Sequence, residues 1–126
     1  MLLSGRSLAQ IDEKLLKYQT WPNAFGAAGY ATFATGKWHN GPPSISKSFQ
    51  QARALFVGGM ADPLKAPTSD MLPTGKLTAA KISPKHLCEE ATDETLAFLK
   101  SQDGKRPFFS YLAFDGPHDP HIVPEG

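Results

Sequence analysis

The sequence predicts an α/β fold built on a mostly parallel sheet. Three observations carry that prediction. A helix, then an apolar strand, then a polar loop occurs twice, over residues 20–43 and again over 83–121. Both strands are apolar on both faces, as strands covered on two sides are. Ionisable residues collect in the loops that follow the strands, the end of an open α/β sheet where ligands bind.

The elements follow in order. Asp12 to Tyr18 has the spacing of a short helix, with Ile11, Leu15 and Tyr18 on one side. Thr20-Trp21-Pro22 is a second helix start, with Thr as N-cap and Pro just inside. That helix runs to about Ala28 and ends at Gly29, a natural position for a left-handed cap. Tyr30 to Thr35 is the first strand, and Gly36 to Pro43 leaves it as a loop. Phe49 to Val57 fits either a short helix or a strand, broken by Gly58-Gly59. Residues 60–81, with Pro63, Pro67, Pro73 and Gly75, read as an irregular excursion. Ser83 as N-cap and Pro84 at the first turn open a third helix. Its apolar stripe is Leu87, Ala91, Thr95, Phe98 and Leu99, with Glu89, Glu90, Asp93 and Glu94 toward solvent, and it stops near Gly104. Pro107 to Phe114 is a second buried strand.

Composition excludes several classes. The 126 residues carry 13 Lys+Arg against 12 Asp+Glu, a net charge of +1, which gives no broad surface for nucleic acid or an anionic membrane. No apolar run approaches the roughly 20 residues of a membrane span. One cysteine, Cys88, rules out an internal disulfide framework and a multi-cysteine zinc site. Inside an amphipathic helix, with His86 its one basic neighbour, Cys88 reads as structural rather than nucleophilic. Eleven glycines and eleven prolines put much of the chain into loops, where sites are built. Two strands do not make a stable sheet core. With the uncapped apolar start at Met1 and the stop at Gly126, this leads to the expectation of a piece of a longer protein, whose open sheet edges favour aggregation.

Two loops hold the candidate chemistry. Lys37 and His39, one residue apart after the first strand, suit an anionic substrate: the lysine supplies fixed positive charge and the histidine moves a proton near neutral pH. The same residues also fit a loop in which His39 makes a local hydrogen bond and Lys37 is solvated. Asp115, His118, Asp119 and His121 follow the second strand. They have the composition of a divalent-metal site without a defined coordination geometry. Trp21, Phe25, Phe33 and Tyr111 read as core.

Gly29 to His39 (GYATFATGKWH) resembles the second signature of the type I sulfatases, the formylglycine-dependent, arylsulfatase-like enzymes: G-Y-x-T-x-x-x-G-K-W-H. Pro107 to Phe114 (PFFSYLAF), followed by Gly116-Pro117-His118, is similar to that family's strand-then-Pro-His segment. Leu2-Leu3-Ser4-Gly5 resembles the tail of the first signature, with Ser4 where Thr is usual. The resemblance covers nearly the whole chain and is weakest over residues 42–81.

The resemblance implies a partial alkaline-phosphatase-like domain over residues 1–126 and hydrolysis of sulfate esters. It implies that Lys37 contacts the sulfate and a formylglycine. His39 would bond the formylglycine hydroxyl and assist sulfate release, and His118 would hold the ester and protonate the leaving oxygen. It implies calcium and formylglycine as cofactors, but places the formylglycine cysteine and the calcium ligands outside this chain. Cys88 is followed by Glu-Glu-Ala, not x-Pro-x-Arg, and does not replace that cysteine. Asp119 and His121 match no family role. The substrate implied is a sulfated small molecule or a sulfated carbohydrate, in a periplasmic, secreted or lysosomal setting. The chain alone is expected to be inactive. A non-catalytic anion-binding module and a phosphodiesterase or phosphonate hydrolase relative on the same fold are the alternatives.

Overall fold

The computed structural model describes residues 2–12 and 14–122. Met1 and residues 123–126, the ends that suggest a piece of a longer protein, lie outside the described residues. Helix α1 is Trp21–Ala27, strand β1 Ala31–Lys37, helix α2 Pro42–Ser48 and strand β2 Gln51–Phe56. Two short strands follow, β3 (Pro67–Thr68) and β4 (Lys81–Ile82), then helix α3 (Leu87–Lys100) and strand β5 (Phe108–Ala113).

The central sheet has the order β2-β1-β5, and both pairings are parallel. The fold is therefore α/β with a parallel sheet, as the sequence predicts. β1 is buried from Ala31 to Gly36 because it has a strand on each edge and helices on each face. Its side chains alternate between two cores. Ala31 and Phe33 meet α3, with the Phe33 and Phe98 rings stacked at 4.5 Å. Ala34 and Trp38 join Ile45, Phe49, Leu55 and Met71 on the α2 side. α1 covers that same face through Phe25, which stacks on Phe109 at 5.0 Å. Among the described residues no helix is long and apolar enough to cross a membrane.

Several expectations change. The described residues of 12–18 form no helix. Instead the Asp12 carboxylate accepts from the Leu16 and Lys17 amides. Leu15 has φ +54°, and the Lys47 ammonium donates to the Leu15, Leu16 and Tyr18 carbonyls. Asp12 and a cation from α2 thus satisfy the amides and carbonyls of this segment without a helix. α2 replaces part of the expected loop, because Pro42 sits where a first-turn proline is tolerated. Phe49–Val57 resolves as β2, paired with β1.

α3 begins at Leu87, not at Pro84. Ser83 closes a local turn with the Lys85 amide, and His86 takes the N-cap. Glu90 and Glu94 are half-buried rather than solvated. β5 is only half-buried, with Phe108 45% exposed, because it is paired on one edge among the described residues. Trp21, expected in the core, is exposed. The excursion over 60–81 is tied to β2 by Leu55–Ser69 and Met71–Ala52 backbone bonds, and β3 pairs with β4 antiparallel.

Candidate functional site

The site forms where β1 and β5 end side by side. Gly36 pairs with Ala113 in the parallel register. Gly36 has φ +88°, and a Cβ there would lie 2.0 Å from the Ala113 carbonyl oxygen. Only glycine lets the strands approach so closely. That approach delivers the next residue, Lys37, to the loop after β5. Its Nζ lies 2.7 Å from Asp115 Oδ1, with the side chains 17% and 4% exposed.

The contact is an ion pair without hydrogen-bond alignment, since Asp115 Oδ1 makes no hydrogen bond among the described residues. The Lys37 ammonium also stands 5.9 Å from the centroid of the Phe56 ring. A buried carboxylate is costly unless a cation accompanies it, and Lys37 is that cation.

Trp38 fixes the turn that follows. It is buried, its amide donates to the Phe56 carbonyl, and its Nε1 donates to the Gly41 carbonyl and to Ser44 Oγ. Its ring packs edge-on to Phe49 and Tyr111. Burial of the Tyr111 phenol raises its pKa above the usual tyrosine value of 10.0. With Trp38 anchored inward, the alternation of side chains sends His39 outward, and it is exposed.

Asp115 connects Lys37 to the third candidate. Its carbonyl accepts the His118 amide at 2.9 Å, closing a turn over 115–118. His118 is exposed, and its Nδ1 lies 2.8 Å from the Asp119 carbonyl. In that geometry Nδ1 carries the proton and donates it to the carbonyl. His121 Nε2 lies 3.1 Å from Asp119 Oδ1. A cavity of about 310 Å³ opens over this loop, lined by Asp115, His118, His121, Ile122, Pro63 and His86 among others. Lys37 reaches the cavity through Asp115, whereas His39 does not line it.

His86 is the site residue that the sequence reading passed over. It is buried, its Nδ1 accepts the Cys88 amide, and its Nε2 lies 2.9 Å from the Ile122 carbonyl. Nδ1 is thereby an acceptor, so Nε2 holds the proton and donates to Ile122. One imidazole caps α3 and ties down the loop that bears His118. The Glu89 carboxylate, three residues on, accepts the His86 amide. That glutamate was the available signal, because a capping pair spans three residues.

Cys88 is half-buried, with its Sγ 3.8 Å from where Gly116 would carry a Cβ. Among the described residues no group of three or more His, Cys, Asp or Glu is placed to hold a metal ion. The composition of the 115–121 loop is therefore not assembled into such a cage.

A family model described as Sulfatase matches residues 1–126. An arylsulfatase of Klebsiella aerogenes is 29% identical over 122 residues, covering 84% of this chain and 25% of the relative. The chain thus spans about a quarter of the length of that relative.

Proposed function

The chain belongs to the sulfatase family, and from that premise we propose that Lys37, His39 and His118 are the charge-neutralising and proton-moving part of a sulfuric ester hydrolase site. The observation that most supports this reading is the placement of Lys37. Its ammonium stands at the end of the buried central strand, paired with an Asp whose own carbonyl starts the turn bearing His118. Hydrolysis at sulfur builds negative charge on the sulfate oxygens, and donors arranged in advance stabilise it. Lys37 takes the sulfate oxygens. His118, with its Nδ1 proton held by the Asp119 carbonyl, holds the ester and protonates the leaving oxygen with a second proton carried on Nε2, while His39 assists sulfate release by proton transfer. The substrate class is a sulfated small molecule or sulfated carbohydrate.

Calcium and formylglycine, which the family resemblance implies, do not fit the described residues. No acidic cage is assembled among them, and Cys88 lies within α3 before Glu89-Glu90-Ala91. Lys37, His39 and His118 act in this reading without a step through either group. Other parts of a whole sulfatase are proposed to supply both.

The test combines binding with turnover. Methyl sulfate should shift the amide resonances of residues 37–39 and 118, and Lys37→Ala should abolish the shifts. The 126-residue chain supplied with calcium should not turn over p-nitrophenyl sulfate. Absence of any methyl sulfate shift in the unmodified chain would sink the anion-site reading. Calcium-dependent turnover by the chain would sink its proposed inactivity alone.

A further inference from the structure

The charge at the site is unusual for an anion receptor. Lys37 is its fixed cation, and a carboxylate already stands beside that cation at 2.7 Å. Asp115 is not a loosely solvated neighbour. Its side chain is 4% exposed, its backbone closes the His118 turn, and its register is fixed by the β1–β5 pairing that ends at Gly36 and Ala113. The carboxylate beside it compensates the positive charge of Lys37.

We infer that Asp115 sets the charge of the ligand the site accepts, admitting the singly charged sulfate monoester and disfavouring the doubly charged phosphate monoester. This inference rests on the reading of Lys37 and His118 as anion donors. A sulfate monoester carries one negative charge. A phosphate monoester approaches two above its second pKa of about 6. The Coulomb repulsion from a fixed carboxylate scales with ligand charge, so the dianion feels about twice what the monoanion feels. Lys37 attracts the dianion about twice as strongly as well, and the Asp115 carboxylate 2.7 Å away offsets that advantage. Asp115 therefore separates two tetrahedral oxyanions of nearly equal shape by charge, which shape alone does not do. The remaining ionisable groups that line the cavity are His86, His118 and His121.

The experiment titrates the 126-residue chain with methyl sulfate and, separately, methyl phosphate at pH 8, following the amide resonances of residues 37–39 and 115–118. The unmodified chain should bind methyl sulfate more tightly. Asp115→Asn should move the ratio of the two dissociation constants about tenfold toward methyl phosphate. Asp115→Glu, which keeps the charge, should hold the unmodified preference. A ratio unchanged in Asp115→Asn, with binding retained, overturns the role of Asp115 and leaves the anion site standing. Should Asp115→Asn not fold, tighter binding of methyl phosphate by the unmodified chain overturns it equally. If neither ester binds the unmodified chain or either variant, the anion-site reading falls, and this inference with it.

Discussion

A single methyl group at residue 36 would separate the two halves of the site. The Ala113 carbonyl occupies the space a side chain would need, and the backbone at φ +88° is strained for any residue with a Cβ. Gly36→Ala should therefore destabilise the fold by about 3 kcal/mol, read from the urea midpoint. In the same variant the Lys37 and Asp115 resonances should move. A midpoint unchanged from the parent would contradict the close approach of β1 to β5. At this scale the sequence was informative about residue type and less so about partnership. Lys37, His39 and His118 stand out because ionisable groups at strand ends are conspicuous. The Lys37–Asp115 pair depends on two strands, 77 residues apart at Gly36 and Ala113, ending in register, which no local pattern encodes. His86 escaped because a buried histidine cap looks like any surface histidine until its two ring nitrogens find Cys88 and Ile122.

Among the elements, α3 was the most legible, because its apolar stripe repeats at helical spacing and Phe98 packs on Phe33. Its start was misplaced by the persuasive Ser83-Pro84 pair, which local turn chemistry used instead. The expected helix over 12–18 is replaced by a strap with Leu15 at φ +54° and buried, its carbonyls bonded by Lys47. α3 also carries a pH signature. Burial, reinforced by the nearby Asp70 carboxylate, raises the pKa of Glu94 above its usual 4.5. A folded carboxyl that holds its proton more tightly than the unfolded one favours folding at low pH. That contribution declines as pH rises from the unfolded value through the folded one, and is absent above it. Glu94→Gln should thus stabilise the chain at pH 7, with the gain shrinking as pH falls toward 4. Paired urea titrations at the two pH values test this, and a gain that grows toward acid would refute it.

For the whole molecule, the parallel character of the sheet was predictable and its strand order was not. The identity of β2 was ambiguous in sequence, and the order β2-β1-β5 follows from pairings between distant segments. β5 pairs on one edge among the described residues, with Phe108 and Phe114 at 45% and 51% exposure. Such an edge is a template for another strand. The isolated chain should self-associate with rising concentration in sedimentation experiments. Phe108→Lys should weaken that association while leaving the circular dichroism spectrum unchanged. A chain that stays monomeric across the concentration range would remove the edge as an explanation of its solution behaviour.

The grip of Lys47 on the Leu15, Leu16 and Tyr18 carbonyls has a consequence of its own. The segment before α1 is fastened to the body by the buried Leu15 and by one amine acting as a latch, and a latch made of charge opens when the charge is removed. Acetylating that amine, or installing Lys47→Gln, should expose residues 14–18 to limited proteolysis while the sheet stays intact. Equal digestion of both forms would mean that the strap is held by its side-chain packing instead.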